Sequence, residues 1–168
     1  MPRKIVTERL VLRPFMAADS DDVLRYLGDY AVSRWLAQVP HPFTRADLRI
    51  LNPDGGERWP ELAAITLNGV IVGGIGTDGH FGYWVAQPFW GNGIATEAAG
   101  GMVSYLFGLD QRADINSGYF AENRAAGRVL EKLGFEETGR GTQFSRSQDR
   151  EVPHVNMILS RDVWEVRS

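Results

Sequence analysis

The stretch 80-HFGYWVAQPFWGNGIATEAAGGMVSYLF-107 decides the fold, because it contains a strand, a tight turn and a helix in that order. Residues 80–86 are aromatic and β-branched, the composition of a strand. Ala95 through Phe107 read as a helix, with Ile94, Ala98, Met102, Tyr105 and Leu106 at the three-to-four spacing of one buried face. Gly91 and Gly93 stand one residue apart where that helix begins. The first turn of a helix has backbone N–H groups without partners and a partial positive charge. Glycines there let the backbone approach an anion, and such a turn cradles phosphates. The amides of Gly91, Asn92, Gly93, Ile94 and Ala95 are the ones that would meet a pyrophosphate. The same pattern also serves as a plain tight connection. It is not a P-loop, since no Lys follows, nor a dinucleotide fingerprint, since Thr96 takes the place of the third glycine.

Working outward, "ADINSGYF" (113–120) reads as a second strand, so residues 80–120 form a strand–helix–strand unit with a right-handed parallel crossover. Upstream, "LAAITLNGVIVGGIGT" (62–77) holds two apolar runs joined by Asn68-Gly69, the strongest short signal for a two-residue hairpin. "RLVLRPF" (9–15) is a strand ended by Pro14. A short helix follows, capped by Asp19 or Ser20, with Val23, Leu24 and Leu27 on one face and Gly28 at its stop. Thr44 is placed to cap a helix through Leu51, closed by "NPDGG". Downstream, "NRAAGRVLEKLGF" (123–135) is a helix with Asn123 as its cap and Gly134 just past its end. Two strands follow, near 135–143 and 151–160. The expected class is α+β, a mixed sheet with helices on both faces, in one domain spanning residues 1–168.

The composition narrows the partners. The chain has 168 residues, a formal net charge of −3 and no cysteine. A mildly acidic chain lacks the clustered basic surface that nucleic acid requires. Without cysteine there is no disulfide, thiol nucleophile or thiolate-ligated zinc. The start, "MPRKIVTERL", has no apolar core of a secretory signal, and "AAGGMVSYLFGL" is too short to span a bilayer. These features fit a soluble, cytoplasmic protein with no membrane partner and no metal.

Several motifs coincide. "FGYWVAQPFWGNGIATEA" (81–98) resembles the acetyl-CoA-binding motif of the GNAT superfamily of N-acetyltransferases. "FAENRAAGRVLEKLGFEETG" (120–139) is similar to its next motif, N-x-x-S-x-x-x-x-x-K-x-G-F. "TERLVLRPF" (7–15), "GDYAVSRWLAQVPHPFT" (28–44) and "VNMILSRDVW" (155–164) resemble segments of the RimJ/RimL-like branch. The resemblance covers nearly the whole chain, in order. It implies a mostly antiparallel mixed sheet whose two parallel middle strands, here 80–86 and 113–119, splay apart around acetyl-CoA. The diphosphate would then meet Gly91–Thr96, the pantetheine amides would pair with backbone at Tyr83–Val85, and Asn123 would flank the thioester. Homodimers are common in the branch. Three positions depart from the pattern: Pro88 stands at the Gln/Arg position of the loop, Ala126 at the serine of the second motif, and His80 where many relatives carry Glu.

Acetyl transfer to an amine needs a base, an oxyanion donor and protonation of the leaving thiolate. A backbone N–H near Val85 suits the oxyanion. By residue type His80 is the best-matched base, or else an exposed histidine at a strand start. His154 is a second cleft candidate. Tyr83 and Tyr119 are candidate acids or core residues. Glu97, in the first helical turn, complements the helix dipole. Water-mediated deprotonation with no single base is an alternative. On the acceptor side Trp35, His41, Phe43 and Phe144, with Trp59, offer walls or contacts, and "FSRSQDRE" (144–151) is a polar hairpin tip. The expected activity is acetyl transfer to a protein N-terminal α-amine or a small-molecule amine. The alternatives are a catalytically weak acyl-CoA-binding sensor or interaction module and, on the glycine turn alone, an unrelated nucleotide-binding protein.

Overall fold

The computed structural model describes residues 3–51 and 58–167; "NPDGG" lies outside them. At the hairpin, Asn68 has φ 51° and Gly69 φ 81°, the paired positive values of a type I′ turn. It joins β3 (Leu62–Leu67) to β4 (Val70–Gly76). With β1 (Ile5–Val6), β2 (Leu10–Arg13) and β5 (Gly82–Val85) these strands form an antiparallel sheet of order β1-β2-β3-β4-β5. A second antiparallel sheet has the order β6-β8-β7, from β6 (Asp114–Phe120), β7 (Glu136–Ser145) and β8 (Arg150–Ser160).

The two sheets meet where the middle strands begin. Phe81 bridges Ser117 in parallel. The Phe81 amide donates to the Asn116 carbonyl at 2.8 Å, and the Ser117 hydroxyl donates to the Phe81 carbonyl at 2.6 Å. Beyond this bridge β5 and β6 share no ladder among the described residues. The expected mixed sheet is therefore two antiparallel halves whose parallel middle strands touch at one end and part. Within the first sheet β4 carries a bulge. Ile65 pairs with Gly73 but Thr66 with Ile71, so Val72 is an extra residue in β4. Bulges bend a strand and increase its twist. The inserted residue also reverses which face each later side chain takes, so Ile71 enters one core and both Val72 and Ile75 the other.

Helices α1 (Ser20–Leu27) and α2 (Tyr30–Ser33) lie between β2 and β3. Helix α3 (Ile94–Leu109) links the two middle strands, α4 (Arg124–Leu133) follows β6, and α5 (Arg161–Arg167) ends the described chain. One core packs α3 and α4 on both sheets, through Met102, Leu106, Leu130, Ile65 and Met157. The other packs Val23, Leu27, Phe43 and Leu48 against Phe15 and Ile71. The buried stripe of α3 outweighs its three glycines, since a fully buried Leu, Ile or Met contributes ~1.5–3 kcal/mol and each internal glycine costs ~1 kcal/mol.

Three local readings change. The segment after Thr44 is a 3₁₀ helix, Arg45–Leu51. The sequence reading has no helix after the last strand, yet α5 forms there, and the Ser160 hydroxyl accepts from the Val163 amide at 3.2 Å. Asp19 precedes α1 without a side-chain cap bond. Its carboxylate instead accepts two bonds from Arg13 and one from the Met16 amide, each at 2.8 Å. Burial pushes its pKa up, but these bonds prevail and hold it below the usual value. No helix among the described residues is long and apolar enough to cross a membrane.

Candidate active site

Where β5 and β6 part, the structure has a cleft of about 780 Å³. It brings together His80, Tyr83, Val85, Gly91, Gly93, Ile94, Ala95, Thr96, Tyr119, Asn123, Trp35 and Phe43. Four anticipated residues do not line it. His41 is exposed and packs on the Tyr30 ring, 5.0 Å between centroids. Phe144 is 47% exposed, because strand alternation turns its neighbour Gln143 to the cleft instead. The Asn92 side chain folds back onto the Phe89 and Trp90 carbonyls at 3.1 and 3.2 Å, which holds the turn from behind. Trp59 is also elsewhere; its indole N–H donates to the Tyr105 hydroxyl at 3.3 Å.

The glycine turn has the geometry of an anion cradle. Gly91 and Gly93 have φ of 78° and 75°, left-handed values that favour glycine. Gly93 is the N-cap of α3 and supplies no side-chain cap. The Gly93 carbonyl accepts from the Glu97 amide at 3.1 Å, so the N–H groups of Ile94, Ala95 and Thr96 have no partner within the helix. Glu97 does more than face the dipole. It accepts from the Thr7 hydroxyl at 2.5 Å and from the Arg9 amide and Nε at 2.7 Å each, tying α3 to the β1–β2 turn. Burial pushes the Glu97 pKa up, but these partners prevail and lower it. A Cβ built on Gly93 would stand 3.5 Å from an Arg9 guanidinium nitrogen. Arg9 thus adds a cation beside the turn. Sequence reasoning missed it, because nothing in "TERL" says what lies next to it in space.

The free edge of β5 faces the cleft. The Ala86 amide donates to the Val72 carbonyl at 2.8 Å, and Trp84 pairs with Gly74. In an antiparallel ladder the intervening residues point their backbone the other way, so Tyr83 and Val85 present theirs to the gap. The Val85 carbonyl accepts the Trp90 indole N–H at 2.6 Å.

The cleft brings His80, from the loop before β5, and His154, from β8, to 6.5 Å between ring centroids. His80 is exposed at the end of its loop, and His154 is buried. Burial and then the neighbouring His80 hold His154 below the ordinary histidine pKa, against a hydrogen bond with Asn156. Both tyrosines reach the first turn of α4. The Tyr83 hydroxyl donates to the Ala126 carbonyl at 3.4 Å, and burial raises its pKa. The Tyr119 ring lies on Gly127, whose added Cβ would stand 2.8 Å from Cζ. Asn123 caps α4, accepting from the Ala126 amide at 3.3 Å.

At the other end the wall is Leu27, Val32, Trp35, Leu36, Val39 and Phe43. The β7–β8 tip fixes that wall. The Arg146 amide donates to the Ala37 carbonyl at 3.0 Å, the Ser147 hydroxyl to Ser33 at 3.1 Å, and the Gln148 amide side chain to Arg34 at 3.0 Å. The tip is therefore a strap that grips backbone on the opposite sheet's side of the cleft.

The sequence profile of the acetyltransferase (GNAT) domain matches residues 9–136. A curated relative from Bacillus subtilis (strain 168), the N-acetyltransferase YoaA, is 36% identical over 155 residues, covering 82% of this chain and 85% of its own. Among solved structures, a GNAT-family acetyltransferase from Bacillus anthracis superposes with a TM-score of 0.80 at 24% identity, covering 95% of this chain and 99% of that one. RimJ of Mycobacterium smegmatis, solved with CoA-disulfide, gives 0.81 at 23% identity, covering 96% and 88%. These two structures share the fold.

Proposed function

The chain belongs to the GNAT family of acetyl-CoA-dependent acetyltransferases, and from that premise we propose that it acetylates a primary amine by direct attack in the cleft between β5 and β6. The observation that carries this reading is the pairing of an uncapped, glycine-built start of α3 with a free β5 edge in the same cleft. The site fits acetyl-CoA by its own chemistry. Partnerless amides at Ile94, Ala95 and Thr96 would hold the diphosphate. The outward backbone of Tyr83 would pair with a pantetheine amide as an added strand does, which leaves the Val85 N–H for the reacting carbonyl. When bound, acetyl-CoA supplies an activated acetyl carbon and a thiol leaving group.

The residues then divide the work. His80 removes a proton from the acceptor ammonium, directly or through water. The Val85 N–H stabilises the oxyanion, a contribution of ~3–4 kcal/mol for such donors. As the new C–N bond forms and the C–S bond breaks, Tyr83 or Tyr119 would give a proton to the departing thiolate, since Ala126 has no hydroxyl to give, and the proton lost by the new amide nitrogen would return to that tyrosine through water. Asn123 sets the first turn of α4 beside them. The same proposal takes residues 1–168 as a single acetyltransferase domain. On the resemblance to the RimJ/RimL-like branch, it includes a cytoplasmic homodimer and N-terminal α-amines or small amines as acceptors.

The test is calorimetric titration with acetyl-CoA, with ATP and NAD as controls, followed by thiol release with an amine panel. Saturable binding near micromolar, ~8 kcal/mol, by acetyl-CoA alone, with amine-dependent thiol release, is the expected result. Binding without release with any amine would leave the acyl-CoA sensor. No binding would remove the assignment of the turn.

A further inference from the structure

The lining of the cleft also selects among amines, an inference that rests on the acetyltransferase reading above. Among the described residues, no Asp or Glu lines the cleft. Its ionisable groups are His80, His154, Arg128, Lys132 and the phenols Tyr83 and Tyr119. Two carboxylates beside lining residues are engaged elsewhere. Asp78 faces Arg58 at 3.5 Å, and Glu97 is held by Thr7 and Arg9. At the far end the walls are apolar and are fixed by the β7–β8 strap.

A cation entering such a cleft loses water and meets no carboxylate among the described lining residues, which favours its neutral form. Several cations on one acceptor multiply that cost. An amine of low basicity escapes the first penalty. At pH 7.5 an α-amine with pKa ~7.7–8.0 is roughly 30% neutral, whereas an alkylamine near ~10.4 is about 0.1% neutral. An apolar body gains contact with the wall formed by Trp35, Leu36, Val39 and Phe43. We propose that the acceptor is a weakly basic primary amine on an uncharged apolar or aromatic body, and that polyamines and aminoglycosides are poor acceptors.

Thiol release from acetyl-CoA at pH 7.5 tests this with phenylalaninamide, phenethylamine and spermidine. Phenylalaninamide combines an aromatic body with low basicity, phenethylamine has the body alone, and spermidine has neither. The expected order of kcat/KM follows that sequence, with phenylalaninamide at least tenfold above spermidine. An N-terminal Phe peptide and 4-methylaniline, run beside them, separate a peptide source of this chemistry from an arylamine source. The near-isosteric Gln143→Glu places a carboxylate on the cleft-facing side of β7, two register positions from the residue opposite His154. It should cut the preference for phenylalaninamide over spermidine about tenfold and leave acetyl-CoA affinity unchanged. Spermidine equal to or better than phenylalaninamide, or an unmoved ratio in Gln143→Glu, overturns the proposal while the acetyltransferase reading stands. Thiol release with none of the amines overturns both.

Discussion

Gly91 holds its φ at 78°, and a Cβ built there meets no atom within 4 Å. Space is therefore not the constraint. An alanine costs the left-handed backbone penalty of ~1–2 kcal/mol, whereas an aspartate adds negative charge where the diphosphate would sit. Calorimetry should find acetyl-CoA binding abolished in Gly91→Asp and only weakened in Gly91→Ala; unchanged affinity in the aspartate variant removes the cradle. His80→Ala should lower kcat at neutral pH by ~10²–10⁴-fold with acetyl-CoA affinity unmoved. An unchanged rate and pH profile would assign the base elsewhere. His154 makes a separate prediction through stability. Its folded pKa is lowered by burial and by His80. As pH falls below the ordinary histidine value of ~6.5, the unfolded chain takes the proton before the folded one. Stability is thus full above that value and is lost as pH falls toward the folded pKa. The Tm of the parent should drop from pH 7 to pH 5 more steeply than that of His154→Gln, and parallel curves would contradict this.

Elements were legible where one local rule governs them. Asn68-Gly69 fixed its hairpin through backbone φ alone, and Ile94, Ala98, Met102 and Leu106 reported their buried face through spacing. Asn123 and Gly134 bracketed α4 by cap chemistry. The failures needed distant information. Helix α5 is seven residues long with mixed polarity, so neither length nor period announces it. The extra residue at Val72 is set by pairing between β3 and β4, and no property of "VIV" reveals it. Phe144 is more apolar than Gln143, yet the register of β7 against β8 turns Gln143 to the cleft. The contact of β6 with β8 is equally invisible in sequence, and it yields a prediction. A Cβ on Gly118 would stand 2.8 Å from the Val155 carbonyl oxygen and would overlap the His154 ring. The carbonyl is backbone and has little freedom to retreat. Gly118→Ala should therefore destabilise the fold by ~1–3 kcal/mol, the usual cost of overpacking, in chemical denaturation. A loss below a few tenths would mean that β6 can move away from β8.

At the scale of the molecule, the cleft exists because two antiparallel sheets are joined, among the described residues, by the narrow Phe81–Ser117 bridge and held again by the strap. The bridge sets how the middle strands diverge, and the glycine turn and β5 edge on the cofactor side depend on it. The strap sets the acceptor wall, because Ser147 and Gln148 hold the backbone of Ser33 and Arg34, next to Trp35 and Leu36. These two attachments lie at different ends of the cleft, so their effects should separate in kinetics. Each neutral hydrogen bond contributes ~0.5–1.5 kcal/mol net, so removing two raises the population of an open wall by roughly fivefold or more. The double variant Ser147→Ala, Gln148→Ala should raise the KM for the amine several-fold and speed amide exchange over residues 33–38. Acetyl-CoA affinity and kcat should stay near the parent values. If exchange rises while the amine KM does not, the wall opens without affecting the acceptor, and the strap serves stability alone. If acetyl-CoA affinity falls as well, the two ends of the cleft are mechanically coupled, and the sheets move as one body around the Phe81–Ser117 bridge.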